Sequence, residues 1–156
     1  MIEELNFILE SNRIEGVYTL DPYAQAIIAW DFLKRQNKLT IPVILDTHRL
    51  LTQNLLTRDV SGNFRQCEVT IGGRLGAKWA IVPQLMDNWL FKYVKAKTKE
   101  QIKESHIEFE KIHPFIDGNG RIGRLIMMWQ WVKHNIPVEV IYEVNKQSYY
   151  DWFKNE

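Results

Sequence analysis

The chain has 156 residues, 20 basic and 19 acidic side chains and a formal net charge of +1 at pH 7, with 46% hydrophobic and 25% charged residues. That length fits one globular domain with a full core and is too short for two ordinary ones; near-neutral charge and average polarity exclude a disordered chain and a general nucleic-acid binder. The single cysteine, Cys67, excludes an internal disulfide framework and points to a reducing compartment.

The elements, in chain order, are mostly helical. Ile2, Leu5, Ile8 and Leu9 make a helical stripe that ends near Gly16, where a left-handed residue suits a helix C-terminus. Asp21-Pro22 reads as an N-cap followed by proline at the first helical position, opening a helix through Ala24, Ile27, Ile28 and Leu33. Thr40 to Pro42 restarts the chain into a third helix carrying Ile44, Leu45, His48, Leu51 and Leu55. Ser61-Gly62-Asn63 is a turn. Val69 to Ile71 and Trp79 to Val82 are expected to pair as a hairpin across a glycine-rich tip, Gly72-Gly73 and Gly76. Pro83 starts a helix with Leu85, Met86, Trp89, Leu90 and Tyr93, and residues 99–112 form the next, with Ile102, His106, Phe109 and His113 on one face. A helix beginning at about Gly120 and running to His134 follows, then a short strand over Val138 to Val144 and a half-formed helix over Gln147 to Phe153. The predicted fold is mainly α, a helical domain with one small β-hairpin.

One stretch is unlike a core element: His113-Pro114-Phe115-Ile116-Asp117-Gly118-Asn119-Gly120-Arg121-Ile122-Gly123-Arg124. Pro114 disfavours helical geometry at His113, so the preceding helix ends with the imidazole at its mouth. Gly118 and Gly120 bracket Asn119, letting successive backbone N–H groups face one concavity, and the N-terminus of the next helix aims at the same spot. Arg121 and Arg124 add two guanidinium forks suited to phosphate oxygens, and Asp117 is a hard oxygen ligand for a Mg²⁺ that bridges phosphates. A base, a metal ligand, an anion nest and two phosphate clamps so close together describe phosphoryl or nucleotidyl transfer.

The stretch matches, at every specified position, the H-x-F-x-(D/E)-G-N-G-R-x-x-R signature of the Fic (filamentation induced by cAMP) family, which the chain resembles. Gly62-Asn63-Phe64-Arg65 followed by Val69-Thr70-Ile71-Gly72-Gly73 is similar to that family's G-x-(Y/F)-R element and flap hairpin, and residues 106–112 resemble the helix before the motif. The resemblance implies a Fic-type helical domain with a hairpin flap that transfers AMP from ATP to a Tyr, Ser or Thr hydroxyl of a protein. It implies His113 as general base, Asp117 as the Mg²⁺ ligand, and Gly118, Asn119 and Gly120 as the anion hole, the Asn119 side chain also contacting phosphate. Arg121 would hold the β-phosphate and Arg124 the γ-phosphate. Phe115 would anchor the loop, and Val69, Thr70, Ile71, Gly72 and Gly73 would dock the target segment by strand addition. The flap lacks the proline-rich run that many relatives carry after its second strand.

Ser11-Asn12-Arg13-Ile14-Glu15-Gly16 resembles the family's inhibitory pattern (S/T)-x-x-x-E-(G/N), placed before the core as in the class with an N-terminal inhibitory helix. It implies that Ser11, Glu15 and Gly16 form a brake in which Glu15 pairs with Arg124 and displaces the γ-phosphate. The plain alternative is a helix C-terminus with Gly16 as its left-handed cap. The expected organisation is an inhibitory helix over residues 1–16 and a catalytic core over 17–156 of one domain. His106, Glu110 and His113 share helical spacing, but no second carboxylate helix answers them, so His106 reads as a core histidine; His48 and His134 carry no signal. The start, Met1-Ile2-Glu3-Glu4, lacks the pattern of a signal peptide, and Leu125 to Val132 is too short to span a bilayer, so a cytoplasmic protein without membrane or nucleic-acid partners is expected. Removal of AMP, transfer of another phosphate-containing group from the same site, and a catalytically silent interaction module remain open alternatives. So do self-modification, for which Tyr18 is a candidate, and a homo-oligomer.

Overall fold

The computed structural model describes residues 1–154, and among them seven α-helices and one two-stranded hairpin. Helix α1 spans Ile2–Ile14, α2 Leu20–Lys34, α3 Ile41–Thr52, α4 Val82–Tyr93, α5 Lys99–Ile112, α6 Asn119–Lys133 and α7 Lys146–Tyr150. Helix α6 is the axis of the domain. It packs on α5, α1, α2 and α3, and every residue from Arg121 to Trp131 is buried. A helix surrounded on all sides has no solvent face to show, which is why its sequence from Leu125 to Trp131 is apolar but for Gln130. Its N-terminus therefore emerges at one end of the core, beside the C-terminus of α5.

Helix α1 shares this core. Phe7 stands edge-on to Trp131 at 5.8 Å, and Glu4 accepts from Trp30 Nε1 and Lys34 Nζ of α2 at 2.8 and 2.9 Å. It ends as the glycine pattern predicts. Gly16 has φ +73°, its N–H reaches Arg13 O at 2.9 Å, and Val17 N–H reaches Asn12 O at 3.0 Å, the paired bonds of a Schellman cap. Helix α5 begins with a capping box between Thr98 and Gln101.

Five segments differ from the sequence reading. Helix α2 starts two residues earlier than Asp21-Pro22 implied: Thr19 occupies the N-cap, and Asp21 and Pro22 lie in the first turn. Helix α3 stops at Thr52, leaving Leu55 outside it and 46% exposed. The hairpin is shorter and tighter than expected. Strand β1, Thr70–Ile71, pairs with β2, Arg74–Leu75, because Gly72 and Gly73 both take positive φ (54° and 81°) and close a two-residue turn. Trp79–Ile81 is consequently not its second strand but a 3-10 turn leading into α4, whose start is fixed by Pro83. The strand expected over Val138 to Val144 is irregular to residue 142 and then a 3-10 turn over Glu143–Asn145: among the described residues no strand pairs with it, and Val138, Val140 and Ile141 are held by packing on the core instead. The half-formed final helix divides into α7 and a 3-10 turn over Asp151–Phe153.

Candidate active site

Helix α5 ends where Pro114 stops it, with His113 as its C-cap in a left-handed conformation (φ 50°, ψ 62°). The carbonyls left over at that end are taken by one side chain. Arg65 donates from Nε to His113 O at 2.7 Å and from Nη2 to Ile112 O at 3.3 Å, while Nη1 and Nη2 also reach Cys67 O at 2.9 Å and Ala77 O at 2.7 Å. A guanidinium suits this task because its donors form a rigid planar fork. Arg65 thus ties the base of the hairpin to the backbone of His113. None of Val69, Thr70, Ile71, Gly72 and Gly73 lines the cleft at His113; they join it only through this link.

The loop from Phe115 to Gly118 is fixed from beneath. Phe115 is fully buried, with its ring stacked on His48 at 3.7 Å. Gly62 N–H donates to His48 Nδ1 at 2.9 Å, so the ring carries its proton on Nε2 and donates to Asp117 O at 2.8 Å. Burial pushes the His48 pKa down to about 4, which keeps this neutral tautomer. Gly118 has φ +82°, and a side chain there would press on Thr52 Cγ2 at 3.2 Å. Asn119 closes the loop: Oδ1 accepts from Phe115 N–H at 2.9 Å and Nδ2 donates to Phe115 O at 2.8 Å. The amide is 3% exposed and faces inward, which corrects the expectation that its side chain contacts phosphate. What Asn119 can offer the cleft is backbone.

The folded state keeps His48 neutral down to about pH 4, whereas the unfolded chain protonates near 6.5, so stability falls as the pH drops through that interval, by up to about 1.4 kcal/mol per pH unit from this group. His48→Gln keeps a donor and cannot be charged. Urea titrations between about pH 6 and pH 5 are expected to show a steeper stability loss in the wild type than in this variant. Parallel losses would assign the acid sensitivity to other groups.

A cleft of ≈ 240 Å³ opens at the N-terminus of α6, lined by Glu15, Val17, His113, Ile116, Asp117, Gly118, Asn119, Gly120 and Arg121. Burial, helped by Arg65, lowers the His113 pKa below its usual value, so the imidazole is neutral at pH 7. Nδ1 faces Glu110 O at 3.4 Å, which leaves Nε2 as the nitrogen able to accept a proton. Asp117 Oδ1 accepts from Gly118 N–H at 2.7 Å. No cluster of three or more metal-ligating side chains occurs among the described residues. One carboxylate nonetheless fits Mg²⁺, which commonly takes its remaining ligands from phosphates and water. Arg121 is buried, with Nη1 unpaired, a guanidinium with unused donors beside a helix N-terminus.

Across that terminus lies the Glu15 carboxylate. Oε1 accepts from Arg124 Nη2 at 2.6 Å. Arg124 Nε also donates to Ser11 Oγ at 2.8 Å and Nη2 to Ser11 O at 3.0 Å. Gly120 makes room for this pair, since a Cβ there would collide with Glu15 Oε1 and stand 2.9 Å from Arg124 Nη1. The same helix end carries the Schellman cap and places the Glu15 carboxylate on Arg124. Beneath Arg124, the half-buried Glu110 has its Oε1 out of solvent and unpaired, and this burial raises its pKa to about 7 against the pull of Arg124.

The Fic/DOC family model matches residues 38–131, from before α3 to the last turn of α6 and including the whole loop just described. The chain belongs to the Fic/DOC family. It is 27% identical over 150 residues to the protein adenylyltransferase Fic of Drosophila willistoni, covering 93% of this chain and 29% of that protein. The corresponding protein of Aedes aegypti is 26% identical over 153 residues, with the same coverage of 93% and 29%. The chain therefore spans about three tenths of the length of these curated relatives. The fold is shared with a Fic domain containing signalling protein from Bacteroides thetaiotaomicron, with a TM-score of 0.77 at 21% identity, covering 95% of this chain and 69% of that one. It is shared also with Fic-1 from C. elegans, with a TM-score of 0.76 at 18% identity, covering 95% and 53%.

The sequence singled out the loop of this Fic domain but missed two residues that hold it, His48 and Arg65. Both act on backbone atoms far away in the chain, so no local pattern marks His48, while Arg65 was visible only within the G-x-(Y/F)-R element. No helix among the described residues is long and apolar enough to cross a membrane.

Proposed function

We propose that this Fic domain is a protein adenylyltransferase that moves AMP from ATP to a Tyr, Ser or Thr hydroxyl of a target protein and is restrained by its own α1. The observation that carries the reading is the convergence of a neutral His113, Asp117, Arg121 and the α6 N-terminus on one cleft, with a carboxylate from α1 seated at the same anion site. The adenylyltransferase relatives agree with it. His113 Nε2 takes the proton of the attacking hydroxyl as its oxygen bonds the α-phosphorus, and the bond to the β-phosphate breaks to release pyrophosphate. The N–H groups of Asn119 and Gly120, joined by that of Gly118 when it leaves Asp117 Oδ1, meet the charge on the phosphates, with Arg121 on the β-phosphate and Arg124, once released, on the γ-phosphate. Asp117 would hold Mg²⁺, which neutralises phosphate charge when bound. Phe115 keeps the loop seated, and the hairpin at 69–73 offers its unpaired edges to the target segment. The lone Cys67 fits a cytoplasmic location.

The deciding experiment supplies the Glu15→Gly protein with Mg²⁺ and ATP labelled on either the α- or the γ-phosphate. Label is expected on protein, the chain itself included, from α-labelled ATP and not from γ-labelled ATP. Transfer of the γ-label would replace adenylyl by phosphoryl transfer, and absence of both across candidate targets would remove the transferase reading.

A further inference from the structure

The Arg124 guanidinium is 1% exposed and makes four hydrogen bonds, three of them to Ser11 and Glu15. The fourth comes from the other end of the chain: Nη1 donates to the Tyr149 hydroxyl at 3.2 Å. That hydroxyl lies 2.7 Å from His106 Nε2. Arg124 can only donate, so the hydroxyl oxygen accepts from it, while the His106 ring, kept neutral by burial that drives its pKa to about 3, shares a hydrogen bond with the same oxygen. Arg124, Tyr149 and His106 thus form a buried hydrogen-bonded chain. The ring of Tyr149 is held independently of its hydroxyl, edge-on to Trp152 at 5.1 Å and to Phe153 at 5.3 Å.

We propose that Tyr149, oriented by His106, is the positioning residue that keeps the Arg124 guanidinium turned to the phosphate end of the cleft once Glu15 lets go. The inference rests on the nucleotide reading of the site given above. When Glu15 yields, one N–H of Nη2 is freed toward the incoming anion while the other stays on Ser11 O. Nε stays on Ser11 and Nη1 on Tyr149, so the fork keeps its plane and meets the terminal phosphate without a search. Among the described residues Tyr149 is the only hydrogen-bond partner of Arg124 outside residues 11–15. The C-terminal turn, of which the sequence pattern says little, is thereby part of the anion site.

The test uses the Glu15→Gly protein and compares Mg²⁺-ATP with Mg²⁺-ADP by titration calorimetry, since only ATP carries the phosphate assigned to Arg124. Adding Tyr149→Phe, which keeps the ring and removes the hydroxyl, is expected to weaken ATP about tenfold, the size of one lost hydrogen bond to a charged group, and to leave ADP within about twofold. In an Arg124→Ala background the same change should have no effect on either nucleotide. Equal weakening of both nucleotides, or none, would overturn the inference, the first by revealing a purely structural role. If the Glu15→Gly parent already fails to distinguish ATP from ADP and transfers no α-label, the reading of the site falls and takes this inference with it.

Discussion

Replacing Glu15 by Gly is expected to raise AMP transfer by about 10- to 100-fold over the wild type. A brake that is closed 99% of the time needs only about 2.7 kcal/mol, and loss of one partner from a buried carboxylate–guanidinium pair costs about 3–5 kcal/mol. Arg124 is 1% exposed but Glu15 is 38% exposed, so solvent screening takes the pair below that range. The lower end of the release follows from this discount, and the upper end from a pair that behaves as fully buried. Glu15 is the C-cap of α1 with φ −88°, so glycine costs the helix little there. The Schellman cap at Gly16 uses backbone atoms only and survives the change. Initial rates with α-labelled ATP measure the effect; an unchanged rate would mean that the Glu15–Arg124 pair does not limit turnover. Glu15→Gln, which retains a hydrogen bond without the charge, should fall between the two.

Loss of the imidazole is the second large effect. In the Glu15→Gly background, His113→Asn should lower the rate about 10²- to 10⁴-fold, the contribution of a positioned general base. Asparagine is preferable to alanine because His113 sits in a left-handed conformation that asparagine tolerates, which separates lost chemistry from backbone strain. The thermal midpoint should stay close to that of the parent. The rate of the parent itself should be lost as the pH falls through the His113 pKa, which burial places below 6.5, because the base works only while neutral. A rate that survives His113→Asn, or one that does not fall at acid pH, would move the base elsewhere.

Much of the fold was legible because helices announce their ends locally: Thr40 accepts from Val43 N–H, Thr98 and Gln101 form a capping box, and Gly16 closes α1. The loop at 113–118 was legible for the same reason, with Pro114 and Gly118 each dictating backbone. Strands were not, since alternation at 138–142 specifies a face and never guarantees a neighbour to bond. At 79–82 a β-branched, aromatic run reads like a strand, yet the Gly72-Gly73 turn has already closed the hairpin and Pro83 commits the chain to a helix. The inward turn of Asn119 was equally hidden. Its partner, the Phe115 backbone, becomes available only once Phe115 is buried against His48.

The anchoring of α1 decides which part of the proposed brake can move. Phe7 and Ile8 lie in the core, and Glu4 is tied to Trp30 and Lys34 of α2, so the helix is no loose flap. What remains free to move is the half-exposed side chain that follows it, and such side chains change rotamer in picoseconds to nanoseconds. On the proposed reading, the part that yields is this side chain alone, and activity would register the fraction of time Glu15 is away from Arg124 rather than the undocking of α1.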